Sequence, residues 1–229
     1  MKNVTIIMHT YNNIDFTRAS IAAIRSFYPD IPVILADGGS DEFPTDMHNR
    51  VVYVVDGTYE ECANAAVSLV ETEYFINMNQ NVRLMGHAIE PLVEVMDWDV
   101  ACTGAYCVKV LDYDKREALC GIRFSKSVDV DAVSGYFSLH NTSHFREIGG
   151  YPHAHKFYKV PLDFDPRVEC ASDLSICKLY RERNLRVMSP ATTIPVLHWP
   201  RASKPTEYRE WWVENTNHKH ADFETFQDA

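Results

Sequence analysis

The sequence has few of the signals that assign a protein at a glance. No apolar run is longer than a strand, so no segment reads as a helix that crosses a bilayer. The opening "MKNVTIIMHTYNN" has one lysine and a short apolar stretch without a small-residue cleavage site, so it does not read as a secretory signal. The six cysteines (62, 102, 107, 120, 170 and 177) form no CxxC pair, and several fall within apolar patterns. Buried free thiols and a reducing, cytoplasmic setting are the expectation. No GxGxxG follows a strand-like run, which sets aside a dinucleotide-binding dehydrogenase. Positive charge is scarce: 22 Lys and Arg against 32 Asp and Glu leave a formal charge of −10. That balance disfavours broad binding to a phosphate backbone.

What is present is an alternation of two periods over the first hundred residues. "VTIIMH" (4–9), "IPVILAD" (31–37), "RVVYVVD" (50–56) and "EYFINMN" (73–79) are short, nearly continuous apolar runs, as strands covered on both faces require. Between them, Phe16, Ser20, Ala23, Ile24 and Phe27 share a helical face. Thr58 and Glu61 form a capping box that opens a second helix, with Cys62, Ala65, Ala66 and Leu69 inward. "GHAIEPLVEVMDW" predicts a third, with Pro91 near its first turn. Such alternation means an α/β fold with a mostly parallel central sheet and helices on both faces. The second half is less regular. Residues 99–112 and 116–125 predict long strands, "AVSGYFSLHN" another, "TSHFREIGG" a short helix ended by glycine, and "SDLSICKLYRERN" a helix with Ser172 as N-cap. With no linker visible, residues 1–229 read as one domain: a nucleotide-sugar-binding half over about 1–98, an acceptor half over about 99–200, and a tail over 201–229.

In open α/β sheets ligands bind beyond the carboxyl ends of the strands. Those ends carry His9-Thr10-Tyr11-Asn12, then Asp37-Gly38-Gly39-Ser40, then Asn79-Gln80-Asn81. Asn64 lies in "CANAA", "HFREIGGYP" spans 144–152, and "VLHWP" spans 196–200. In this order and spacing, across roughly residues 3–200, the set resembles the family-2 glycosyltransferases of the GT-A fold. That family's strands end in Pro-Thr-Tyr-Asn, Asp-Gly-Gly-Ser and Asp-x-Asp, followed by Phe-Arg-x-x-Gly-Gly-Phe and a late strand ending in histidine.

The resemblance implies a sugar transferred from a nucleotide-sugar donor, with nucleoside contacts at Thr10, Tyr11, Asn12 and Asp37. The residues allow this chemistry: a carboxylate such as Asp37 can accept the N3–H of uracil, which cytosine lacks. The donor is therefore expected to be a UDP-sugar. Asp37 reads equally as a turn residue, because Asp-Gly is strong turn chemistry. Asn64 is a further donor-side candidate, although a contact to neighbouring chain suits it as well. An inverting transferase needs one carboxylate to take the acceptor's proton. The family places it in a Glu-Asp pair at a helix start, which here matches Ser172-Asp173 and makes Asp173 the candidate base. A register shifted by two residues would set Cys170-Ala171 there instead.

The family's Asp-x-Asp brings a divalent cation to the donor diphosphate. Mg²⁺ and Mn²⁺ favour charged oxygen ligands, whereas Asn79 and Asn81 offer only neutral carbonyls. Four Asp-x-Asp strings exist elsewhere (97–99, 112–114, 129–131 and 163–165), but none follows the fourth strand. The motif is thus kept in place and lost in charge. The expectation is either a weak, donor-dependent Mn²⁺ or Mg²⁺ at Asn81 and His198 or no metal, with Arg201, Lys204 or Arg83 as compensating cations at the diphosphate. The rival from another class is a non-catalytic relative that binds a nucleotide sugar or glycan. A sugar-phosphate nucleotidyltransferase would need a glycine-rich basic loop where "HTYNN" stands. The acceptor, whether saccharide, lipid-linked glycan, protein or hydroxylated nucleobase, is not legible. The aromatic tail "EYREWWVENTNHKH" reads as an amphipathic packing helix or as a cover for the acceptor cleft.

Overall fold

A computed structural model describes residues 3–42, 50–54, 57–112, 117–152, 172–199, 217–220 and 226–227. The apolar runs of the first half become strands Val4–Thr10 (β1), Val33–Asp37 (β2), Arg50–Tyr53 (β3) and Tyr74–Asn79 (β4). Every residue of β1 and β2 is buried, as continuous apolarity requires of strands covered on both faces. The helices between them are Ile14–Phe27 (α1) and Tyr59–Ser68 (α2). The capping box at Thr58 forms as expected: its hydroxyl accepts from the Glu61 N–H at 3.1 Å, and the Glu61 carboxylate accepts from the Thr58 N–H at 2.8 Å.

The third helix is much shorter than predicted. Only Glu90–Val93 (α3) is helical, after a short strand Val82–Leu84 (β5), and Ile89 and Leu92 alone of the predicted apolar face are fully buried. In the second half, the strand predicted over 99–112 is two, Val100–Gly104 (β6) and Cys107–Asp112 (β7), and β7 pairs antiparallel with Glu117–Phe124 (β8). The strand predicted over "AVSGYFSLHN" breaks at Ser134-Gly135-Tyr136, which follows the short strands Val128–Asp129 (β9) and Ala132–Val133 (β10) and precedes Phe137–Asn141 (β11). Helices Thr142–Glu147 (α4) and Ser172–Glu182 (α5), then Arg186–Ser189 (β12), Val196–His198 (β13), Asn217–His220 (β14) and Phe226–Gln227 (β15), complete the order. Part of the tail expected to be helical, 217–220, is instead a strand beside β8.

The central sheet runs β3-β2-β1-β4-β11-β6-β12-β9. Its pairs are parallel from β3 to β4 and between β6 and β12; β11 runs antiparallel to both neighbours, as does β9 to β12. Two clusters of apolar side chains form the core, one on each face. Helices α1 and α3 cover Ile6, Met8, Leu35 and Ile76 on one face. Helices α2, α4 and α5 cover Ile7, Ala36, Phe75 and Cys102 on the other. This is one α/β domain with helices on both faces of a mostly parallel sheet. Among the described residues no helix is long and apolar enough to cross a membrane. The described cysteine side chains, Cys62, Cys102, Cys107 and Cys177, are free thiols and buried.

Candidate active site

Parallel pairing sets the carboxyl ends of β1, β2 and β4 side by side: Thr10 is opposite Asp37, and His9 is opposite Asn79. These positions therefore lie together at the carboxyl end of the parallel strands.

Asp37 is wholly buried, and its carboxylate accepts four hydrogen bonds from the protein itself. Thr10 Oγ1 donates at 2.8 Å and Ser40 Oγ at 2.6 Å to Oδ2, while the Gly39 and Ser40 N–H groups donate at 3.0 and 2.8 Å to Oδ1. Gly39 sits at φ 99°, a conformation that favours glycine, so the turn needs both the carboxylate and that residue. Asn12 ties the same turn to β1. Its N–H donates to Ser40 Oγ at 2.7 Å, and its side-chain carbonyl accepts from the Asp41 N–H at 3.1 Å. Thr10, Tyr11, Asn12 and Asp37 are therefore brought together, and Asp37 is the hub of the turn between them.

The amides that follow β4 are engaged with the chain. Gln80 is buried and grips Tyr11, accepting its N–H at 3.2 Å and donating to its carbonyl at 3.1 Å; it also accepts from Thr17 Oγ1 at 3.2 Å. Asn81 donates to the Trp199 carbonyl at 2.6 Å, and the Trp199 N–H returns a bond to the Asn81 carbonyl at 3.1 Å. His198, opposite Val82 in the antiparallel β5–β13 pair, lies one residue from that contact and stacks on Tyr136 with centroids 4.2 Å apart. Asn81 and His198 are thus neighbours, as the proposed metal pair requires. Among the described residues, however, no three His, Cys, Asp or Glu side chains converge on a point. One imidazole and neutral amides do not by themselves make a resident site for a hard cation. Asn79 Oδ1 is buried and has no hydrogen-bond partner among the described residues.

Of the compensating cations, Arg201 and Lys204 lie outside the described residues. Arg83 is described: its guanidinium lies between the rings of Phe16 (5.5 Å) and Trp199 (5.3 Å) and donates to Ser20 Oγ. Asn64 faces the chain. It accepts the Tyr151 N–H at 2.8 Å and donates to the Tyr151 carbonyl at 3.0 Å. Gly150, at φ 80°, lets the backbone come this close, because a Cβ there would overlap Asn64 Oδ1. The Gly-Gly-Tyr segment and Asn64 are one structural unit.

Asp173 lies in the first turn of α5, half-buried, and accepts the Gly135 N–H at 3.1 Å. The serine before it does not act as the expected N-cap. Ser172 is wholly buried and is already the first helical residue, and its hydroxyl donates to the Glu60 carboxylate at 2.6 Å. Glu60 comes from the first turn of α2, so a buried carboxylate reaches the position beside Asp173 from another helix. The alternative register, Cys170-Ala171, lies outside the described residues.

The break at Ser134-Gly135-Tyr136 connects these parts, and the sequence reading missed it. Gly135 donates to Asp173, its carbonyl accepts from Asn77 Nδ2 at 2.6 Å, and the Tyr136 carbonyl accepts from the Asn79 N–H at 3.1 Å. Asn77 Nδ2 also donates to the Tyr59 hydroxyl at 2.8 Å, and Oδ1 lies 2.8 Å from His9 Nε2. With the amide so oriented, His9 Nε2 carries the proton. Burial, partly offset by the Asn77 bond, lowers the His9 pKa to about 4, so the ring is neutral. One signal was available: Asn77 interrupts an apolar strand, and a buried amide must find partners.

No family model matches the sequence, and no curated protein matches it either. Solved structures do share the fold. A mannosyltransferase from Pyrobaculum calidifontis, determined with GDP-mannose and Mn²⁺, superposes with a TM-score of 0.61 at 15% identity, over 92% of this chain and 60% of that one. GalNAc-T7, determined with UDP, GalNAc and Mn²⁺, superposes with a TM-score of 0.65 at 10% identity, over 86% of this chain and 43% of that one. The chain spans 60% and 43% of the two neighbours' lengths, and at these identities the likeness concerns architecture. The architecture is that of the GT-A fold.

Proposed function

We propose that this protein transfers a sugar from a nucleotide-sugar donor, with UDP as the nucleotide, to a hydroxyl acceptor, with inversion at the anomeric carbon. The observation that carries the reading is the convergence at one sheet edge of the Thr10–Asp37 turn, the β4 amides and Asp173, linked through Gly135 and Tyr136. Solved neighbours holding GDP-mannose or UDP support it. Tyr11, Thr10, Asn12 and Asp37 would take the nucleoside. The diphosphate would lie toward Asn79, Asn81 and His198, with Arg83, Arg201 and Lys204 supplying positive charge. Asn64 would act by shaping the loop at Tyr151. Residues up to about 98 would serve the donor, and those from about 99 to 200 the acceptor.

In the transfer step Asp173 takes the acceptor's hydroxyl proton as that oxygen attacks the anomeric carbon. The bond from that carbon to the diphosphate oxygen breaks, and the nucleoside diphosphate leaves with the electron pair. A positioned carboxylate of this kind contributes about 10²–10⁴-fold to the rate. The neutral amides fit a divalent ion that arrives with the donor phosphates better than one held by the free protein. Asp173→Asn is the test: donor affinity should stay near wild type while transfer falls by about 10²-fold or more. Undiminished transfer would reject Asp173 and point to the shifted register.

A second reading has an observation of its own. Asn81, where an acidic ligand would stand, and its neighbour Gln80 are used to hold Trp199 and Tyr11. A binding module without catalysis fits that use. Donor binding by thermal shift, with neither transfer nor hydrolysis across a panel of nucleotide sugars and acceptors, would favour it.

A further inference from the structure

We infer that Asn77 is a positioning residue for Asp173, acting through the Gly135 turn; this rests on the reading of Asp173 as the base. Asn77 lies in the middle of β4, wholly buried and far in sequence from the residues it organises. Both hydrogens of its amide are committed, one to the Tyr59 hydroxyl and one to the Gly135 carbonyl, and its oxygen receives the His9 ring. Gly135 is thereby fixed from the sheet side. Its N–H points the other way and donates to Asp173 Oδ2. The two groups of Gly135 belong to different peptide units, so no proton passes along this line. What passes is position: the amide fixes the glycine, and the glycine fixes the carboxylate.

Three features make the link more than packing. Gly135 lies in the break where the chain passes from β10 in one sheet to β11 in another, and there its N–H is given to Asp173 on α5. Among the described residues the Asp173 side chain makes one other hydrogen bond, from the adjacent Leu174 N–H at 2.8 Å, so within them Gly135 is the contact that ties it to the rest of the fold. The start of α5 is held independently by Ser172 on Glu60. Loss of Asn77 would therefore loosen the Asp173 carboxylate without detaching the helix that carries it.

Among the described residues the titratable groups around Asp173 are Glu60 from α2, Cys102 from β6 and Cys177 on its own helix, with His140 and Tyr180 behind them. Burial keeps the Cys102 thiol and the Tyr180 hydroxyl protonated and His140 neutral. Glu60 is thus the carboxylate whose titration must be separated from that of Asp173.

The test follows the Gly135 amide proton by NMR across an acid titration. In the wild-type protein its resonance should move with pH. The movement should persist in Glu60→Gln and vanish in Asp173→Asn. In Asn77→Leu, of similar size but with no hydrogen bonds, the amplitude should fall at least twofold, whereas Tyr59→Phe, which removes only the side branch, should leave it unchanged. Asn77→Asp, which keeps the shape but loses the donor to Gly135, should behave as Asn77→Leu does and serves if the leucine variant does not fold. Transfer should show kcat lowered about tenfold with donor KM within twofold. A Gly135 resonance that ignores Asp173, or one equally disturbed by Tyr59→Phe, overturns the inference. If the resonance behaves as expected and no transfer occurs with any donor, the link stands and the assignment of Asp173 as base falls.

Discussion

Replacing Asp37 by asparagine tests two statements at once, and the structure says how to separate them. The carboxylate holds its turn through four donors, two hydroxyls and two backbone N–H groups. Asparagine can turn its oxygen toward the Gly39 and Ser40 N–H groups, and the Thr10 and Ser40 hydroxyls can rotate to accept from the new NH₂. The two N–H groups keep an acceptor while the two hydroxyl hydrogens lose theirs, so the loss is mainly that of charge. Hydrogen bonds to a charged group contribute about 1.5–3 kcal/mol against about 0.5–1.5 for neutral ones, roughly 1 kcal/mol less for each. The four share one turn and are not additive, so the expected cost to folding is about 2–3 kcal/mol. For a chain of this size that lowers Tm by about 4–12 °C. Urea denaturation and a thermal melt read this term in the protein without nucleotide. Binding of UDP by calorimetry, well below the variant's Tm, reads the second term, expected at about 1–3 kcal/mol. Unchanged stability would refute the turn as an organised hub. Lower stability with unchanged UDP affinity would make Asp37 a turn residue and nothing more.

Gly150→Ala should destabilise by about 2–4 kcal/mol, read by urea denaturation, because φ 80° disfavours a side chain and the new Cβ meets Asn64 Oδ1; a change under about 0.5 kcal/mol would show that the Asn64–Tyr151 clasp is slack. Mn²⁺ titrated into the protein without donor should give no micromolar binding by calorimetry, and a stoichiometric micromolar site would mean that carboxylates elsewhere form a cage. His9 and His140 are buried with pKa values lowered from 6.5 to about 4 and about 3, so the folded state binds fewer protons than the unfolded one. Their contribution is fully present above pH 6.5 and is lost as pH falls from there toward 4, at up to about 1.4 kcal/mol per unit for each ring. Denaturation between pH 7 and 5 should show this slope, flattened in His9→Asn or His140→Gln; a slope unchanged in both variants would mean that the rings are not the titrating groups.

The first half of the fold was legible because local and global preferences agree there. Strands β1, β2 and β4 are covered on both faces, so their apolarity is continuous, and the capping box marks α2 within a residue. The helix predicted after β5 is a single turn, Glu90–Val93, although its apolar face is used: Ile89 and Leu92 are buried, and Val93 and Met96 pack partly buried against the same cluster. The long strand predicted over "AVSGYFSLHN" failed at a glycine, where the chain gives up ladder bonds so that Gly135 can hold Asp173 and Asn77. Propensity over a short window cannot register partners 38 and 58 residues away.

The candidate positions were legible in the sequence and their partners were not. Strand ends are where an α/β fold places ligand contacts, so Thr10, Asn12, Asp37 and Asn79 could be named from topology. Asn79 and Asn81 read as carboxylates that had lost their charge and Asn64 as a donor-side candidate, while the amides around the strand ends have a structural logic of their own. Gln80 accepts from the Tyr11 N–H and donates to the Tyr11 carbonyl, and Asn64 does the same to Tyr151. Asn77 accepts from His9 while donating to Tyr59 and Gly135. Each task needs a donor and an acceptor on one short side chain, and an ionised carboxylate has no donor to offer. An aspartate at position 81 would restore charge and lose the bond to the Trp199 carbonyl, which fixes the strand that carries His198. At Asn81, then, the side chain that stands where the resemblance sets a metal ligand holds the Trp199 carbonyl instead.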